Sequence, residues 1–201
     1  MGNKELNNVC IGCLFRGDSL RNKIIFIFIL LCITFIFLFN QINRDDKNEI
    51  KKVIETSNPS ITKIAHVEIL DNNKAVGFYE SNLAGNEFFS DILLTKGVFG
   101  WRELGSTGGQ TPKEYKIGWT FSNLSQRDFS KYTDLIFGKI YDTSISEIHI
   151  LTQNKIEFNA KIIEYDKTEK LWFLITDGEN VLGSTITALS KDGKIIQQFK
   201  I

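Results

Sequence analysis

The chain has 201 residues, with 24 basic and 24 acidic side chains and no net charge. That balance excludes the basic stripe by which nucleic-acid binders are steered to phosphate. All three cysteines, Cys10, Cys13 and Cys32, lie near the N-terminus, so everything after them lacks a disulfide, a thiol nucleophile and a thiolate metal site.

Residues 1–23 form a polar tail. It carries Lys4, Arg16, Arg21 and Lys23 against Glu5 and Asp18, a balance of +2 that leaves −2 for the remainder. Gly2 follows Met1, but Leu6 stands where a myristoylation motif needs Ser or Thr. Cys10-Ile11-Gly12-Cys13 has the C-x-x-C spacing of half a zinc site or of a dithiol pair. A complete zinc site needs four ligands, and the tail offers no second pair and no histidine. Cys10 and Cys13 are therefore metal candidates only if two chains pool them. The plainer reading is two thiols beside a membrane, open to S-acylation.

Residues 24–39 read IIFIFILLCITFIFLF and carry no charge. Only Cys32 and Thr34 interrupt an apolar surface that runs all round the helix, whereas a globular core helix keeps a polar face. A bilayer crossing takes about 20 residues. Lys23 on one side and Asn40, Gln41 and Ile42 on the other extend the run into the interfaces, giving a transmembrane anchor over 24–42. No A-x-A cleavage site comes after it, and Cys32 sits mid-run behind Leu30 and Leu31, so an uncleaved signal-anchor is expected. Basic flanks do not decide the orientation, because Arg44, Lys47, Lys51 and Lys52 answer Arg16, Arg21 and Lys23. The size of the C-terminal part decides it, because a long domain is translocated largely regardless of charge. The reading is a single-pass protein of the cytoplasmic membrane, with residues 1–23 inside and the C-terminal domain outside.

Residues 43–60 hold a short amphipathic helix. Ile50, Val53 and Ile54 fall at helical spacing, and Asn58-Pro59 stops it. It is either a stalk or a helix packed on the domain behind it. From Ile61 the period changes to two. Residues 63–70, with Ala65, Val67 and Ile69 on one face, and 74–80 form a hairpin around Asp71-Asn72-Asn73. Residues 87–94 and 98–104 form another around Thr95-Lys96-Gly97, and the Gly-rich stretch 105–112 reads as a loop. Residues 116–122 place Ile117, Trp119 and Phe121 together. A second series runs through 135–141, 145–151, a long strand over 155–165, 170–176, 180–189 and 194–199. Its turns are Asp142-Thr143-Ser144, Asp166-Lys167-Thr168, Asp177-Gly178 and Asp192-Gly193. The expected class is mainly β (α+β): an antiparallel meander or sandwich in two sheets, the first over 61–123 and the second over 133–201, joined near 124–133.

Candidate chemistry is sparse. His66 and His149 are the only histidines; each shares a strand face with a glutamate, Glu68 and Glu147, and reads as a polar-face residue. Ser60-Ile61-Thr62-Lys63 matches S-x-x-K without its S-D-N and K-T-G companions. The Gly-rich stretch lacks the Lys-Ser/Thr of a phosphate loop. Asp91, Glu103, Asp134, Asp142 and Glu147 are scattered carboxylates. Phe99, Trp101 and Trp119 flank the Gly-rich stretch and are the candidate binding patch, against the alternative that they pack in the core. No cofactor motif is present, and no cofactor is expected.

Six segments in this order carry a resemblance: AVGFYES (75–81), LTKGVFGWRELG (94–105), the Gly-rich stretch, YDTSISEI (141–148), LWFLI (171–175) and LSKDGKI (189–195). Together they resemble small single-pass envelope proteins of Bacillus-type Gram-positive bacteria, a group without an assigned activity. The resemblance implies location and approximate fold, and no site residues. The expected function is a non-enzymatic module that binds a protein or cell-envelope partner at the membrane and no nucleic acid. The alternative is a cell-wall hydrolase using carboxylates near the Gly-rich stretch.

Overall fold

The computed structural model describes residues 23–35, 45–110, 115–129 and 131–201. The chain divides into two units, Met1–Asp45 and Asp46–Ile201. In the first, residues 23–35 form helix α1. Its apolar side chains are exposed, from Ile29 at 49% to Phe35 at 70%. Among the described residues no helix is long and apolar enough to cross a membrane; the rest of the apolar run, residues 36–39, lies outside them, as do Cys10 and Cys13.

The second unit is mainly β. Helix α2 (Asp46–Ser57) is followed by β1 (Ile61–Asp71), β2 (Lys74–Leu83), β3 (Asn86–Gly97), β4 (Gly100–Gly109), β5 (Thr120–Asn123) and β6 (Asp134–Ile140). Then come β7 (Ile145–Leu151), β8 (Glu157–Asn159), β9 (Lys161–Asp166), β10 (Glu169–Ile175), β11 (Thr185–Ser190) and β12 (Ile195–Lys200). They form three four-stranded antiparallel sheets rather than two. Sheet I is β1-β2-β3-β4, sheet II is β5-β6-β10-β9 and sheet III is β12-β11-β7-β8.

Three cores define the layers. Ile50 and Ile54 of α2 press on Ala75, Tyr79, Ile92, Leu94 and Trp101 of sheet I, so the apolar stripe of α2 is a packing face. The other face of sheet I, with Val76, Phe78, Phe89 and Leu93, meets Leu135, Phe137, Leu171 and Phe173 of sheet II. The far face of sheet II, with Ile136, Ile140 and Trp172, meets Ile148, Ile150, Ile186 and Ala188 of sheet III. The order is helix, sheet I, sheet II, sheet III. Period-two alternation supplies it: in β6, Leu135 and Phe137 face one neighbour, and Ile136 and Ile140 face the other.

Several details depart from the sequence-based expectation. In β1, Ile64 pairs with Tyr79 and His66 with Phe78, leaving Ala65 as an extra residue. This bulge inverts the alternation. Ala65 packs between sheets I and II, whereas Val67 turns to α2 and Ile69 is exposed. In the β3–β4 hairpin, Gly97 pairs with Gly100, which puts the turn at Val98-Phe99 instead of 95–97. Those two apolar residues mimic strand, while the glycines bracketing them mark the true turn; Gly100 has φ 110°. Gly105–Gly109 is strand, not loop, and pairs with Phe89–Leu93. Its missing side chains make room for neighbours: a Cβ on Gly105 would collide with the Arg127 guanidinium. The single strand expected over 155–165 is two, β8 in sheet III and β9 in sheet II. Phe158, Ala160 and Ile162 still face the same core, so alternation survives the change of sheet. The segment 180–189 is strand only from Thr185.

Candidate functional site

Sheet I has two ends. At one, α2 begins at Asp46 and the β1–β2 and β3–β4 hairpins turn. At the other, here the far end, α2 hands over to β1 and the β2–β3 hairpin turns. The candidate site is at the far end, where charged side chains from sheets I and II converge. Three of them sit where the strand's alternation should place a core residue. Glu80 continues the series Val76, Phe78; Lys139 continues Leu135, Phe137; Glu169 precedes Leu171, Phe173. A charge on an apolar phase is the sequence signal that would have located this site.

Lys139 Nζ donates to Glu80 Oε1 at 2.6 Å and to Glu169 Oε1 at 2.8 Å. The Tyr165 hydroxyl donates to the same Glu80 oxygen at 2.5 Å. Lys63 Nζ donates to Glu169 Oε2 at 2.5 Å and to Asp166 Oδ2 at 2.7 Å. Both ammonium groups lie over the Tyr165 ring, 5.7 Å and 6.0 Å from its centroid. The network is half-buried, with the Lys139 side chain 18% exposed. Beside it opens a cavity of about 150 Å³ lined by Glu80, Glu87, Phe88, Lys139, Tyr141 and Glu169. Tyr141 is 44% exposed at its mouth.

The electrostatics hold five of these groups in one state. Burial opposes the charge on Lys139, but hydrogen bonds to Glu169 and Glu80 outweigh it and raise its pKa. Lys63 is raised by Asp166 and Glu169. Glu169 is held below the usual carboxylate range by Lys139 and Lys63, and Asp166 by Lys63. Burial, then the Glu80 carboxylate, pushes the Tyr165 phenol up. The cations stay charged, the phenol keeps its proton, and Glu169 and Asp166 stay ionised at neutral pH.

The two histidines find partners on their own sheets, whereas two buried carboxylates, Asp91 and Asp134, each keep one oxygen without a hydrogen bond. His66 hydrogen-bonds Glu68 at 2.9 Å and stacks on Phe173, and Lys161 clamps Glu68. His149 lies between Glu157 and Glu147 on the outer face of sheet III, and both raise its pKa. Asp134 Oδ2 accepts the Val181 N–H at 3.0 Å; burial raises its pKa. Asp91 is fully buried under the Gly-rich strand. Its Oδ1 accepts the Thr107 N–H at 2.6 Å, its Oδ2 has no hydrogen-bond donor, and burial pushes it up to about 7.

The three aromatic candidates have different surroundings. Trp101 is in the core against α2, and its Nε1 donates to Asp46 Oδ1 at 3.0 Å. Trp119 is 45% exposed and stacks on Phe199 of β12 at 6.4 Å. Phe99 is 90% exposed at the β3–β4 turn. Among the carboxylates near the Gly-rich strand, Asp91 is sealed and Glu103 is exposed. Among the described residues, no three His, Cys, Asp or Glu side chains are placed to hold a metal ion.

Comparison with protein-family models, with curated proteins and with solved structures finds no match for this chain.

Proposed function

We propose that this chain is a single-pass protein of the cytoplasmic membrane that displays its β unit outside the cell as a non-enzymatic binding module. On this reading the far-end cleft is the binding surface for a protein or cell-envelope partner. The observation that carries it is the electrostatic state of that cleft. A general acid or base works with a pKa near the operating pH. Here Lys63, Lys139, Asp166, Glu169 and Tyr165 are all held away from it, so these five groups present fixed charge and aromatic surface rather than a proton to exchange. The hydrolase reading lacks comparable support, because Asp91, the carboxylate pushed up to about 7, is 0% exposed. Membrane attachment is supported by the all-round apolar, exposed surface of α1 and by the uncharged run that continues it. The proposed likeness to Bacillus-type envelope proteins agrees with that location.

The test is site-specific photo-crosslinking in intact cells. A photoreactive residue in place of Tyr141 is expected to give a discrete adduct that the same residue in place of Leu151, on sheet III, does not. Equal labelling from both positions, or none from Tyr141, overturns the cleft as the binding surface. A reporter fused after Ile201 that is active only outside the cytoplasm supports the orientation; activity inside the cytoplasm overturns it.

A further inference from the structure

The far-end cleft has an inner and an outer half. The inner half already holds cations. Lys139 lies between Glu80 and Glu169, Lys63 lies between Asp166 and Glu169, and both ammonium groups stand over the Tyr165 ring. The outer half repeats that composition, a carboxylate beside an aromatic ring, with Glu87 and Tyr141 lining the same cavity. The chain uses neither. Among the described residues no ion pair or side-chain hydrogen bond engages Glu87, and Tyr141 is 44% exposed. Across both halves, Glu80, Glu87, Asp166 and Glu169 set four carboxylates against the two ammonium groups, so the cleft favours a further positive charge.

The outer half is held in place by its hairpin. β2 and β3 join through Ala84-Gly85, a tight turn with φ of 52° and 82°, and the Asn82 side chain accepts the Gly85 N–H at 3.1 Å. Two residues on, Glu87 shares the face of Phe89, which packs towards sheet II. The cavity is about 150 Å³, below the roughly 300–1,000 Å³ of a small-molecule pocket. It has room for the head of one side chain. A head group at an exposed carboxylate is held weakly by itself; Leu83, 62% exposed on the same hairpin, gives the chain that carries it a second contact. We infer that the outer half takes a lysine or arginine side chain from an extended segment of a partner protein, with the ammonium or guanidinium against Glu87 and over the Tyr141 ring. The inference rests on the far-end cleft being the binding surface and names the chemistry bound there.

The experiment uses the full chain in detergent micelles, with fluorotyrosine in place of Tyr141, and follows its fluorine NMR signal. The probes are acetylated, amidated pentapeptides of glycine with lysine, arginine, norleucine or glutamate at the centre. The lysine and arginine probes are expected to shift the signal saturably, and the other two to leave it unmoved. Glu87→Gln is expected to weaken both basic probes by about two- to five-fold, and Glu87→Lys to abolish their binding. Glu87 is exposed, so neither substitution disturbs a core. Raising salt from about 0.05 M to about 0.5 M is expected to weaken the basic probes as well. No saturable shift with either basic probe, or an equal shift with norleucine, overturns the inference; a discrete adduct from position 141 in cells then leaves the cleft standing as a binding surface. Absence of that adduct overturns the cleft and the inference together. Tighter binding of cadaverine, a free diamine, than of the lysine probe assigns the outer half to a small polyamine and overturns the protein partner.

Discussion

Asp91 is a carboxyl that the fold takes out of water. Its neighbours on the same face of β3 are Phe89 and Leu93, and the Thr107 N–H reaches only one of its oxygens. Because its folded pKa, about 7, exceeds the value near 4 of an unfolded chain, the native state binds the extra proton between those limits. Its stabilising contribution is full below about pH 4 and is lost as pH rises through 7, a span worth roughly 4 kcal/mol. Asp91→Asn mimics the protonated form. It is expected to flatten that part of the pH dependence and to be the more stable variant at pH 8, as urea denaturation at pH 5 and 8 would show. Lys139 presents the opposite case, a charge that burial tolerates because two carboxylates meet it. Lys139→Met leaves Glu80 and Glu169 facing each other and is expected to cost about 2–3 kcal/mol in the same assay. Lys63→Met, at a more exposed ammonium, costs less. Equal losses would mean that the network is governed by surface screening.

At the scale of elements, α2 depends on one small residue beneath it. A Cβ on Gly77 would lie 2.5 Å from Ile54 Cδ1 and 2.8 Å from Ile92 Cγ2. Gly77→Ala therefore lifts the helix from sheet I, at a cost of about 1–3 kcal/mol. Ile54→Val removes the obstructing methyl. The double variant is expected to lose less than the sum of the singles; strict additivity in chemical denaturation would show that α2 does not rest on Gly77. The sequence announces α2 itself through Ile50, Val53 and Ile54, and alternation announces most strands. It hides the Ala65 bulge, because an inserted residue leaves an apolar pattern that looks regular on either side. It also disguises the β3–β4 turn, since Val98 and Phe99 have strand propensity and only the bracketing Gly97 and Gly100 mark the reversal. The far-end network was hidden differently. Its members come from β1, β2, β6, β9 and β10, and only the stacking of sheets I and II brings them together.

The whole second unit is built so that no boundary falls at residues 124–133. β5, from before that point, pairs with β6, from after it, and sheet II takes β9 and β10 from still later in the chain. Counting strands along the sequence shows two series; it cannot show that the last strand of the first series belongs to the sheet of the second. Gly138 fastens the joint from the other side, through a close approach to Gly118: an added Cβ would collide with the Gly118 carbonyl oxygen. Trp172 Nε1 donates to that same oxygen at 2.9 Å.

Sheet II has a further consequence, in time rather than energy. Its central strands β6 and β10 are flanked by strands on both edges and by a sheet on each face, so no local opening exposes their amides to water. Deuterium should enter sheet III's outer strands β8 and β12 first. It should reach Phe137 and Trp172 only when the entire unit opens. Their exchange rate then becomes a slow clock for global unfolding. It can be read by hydrogen–deuterium mass spectrometry on the intact chain in vesicles, without denaturant.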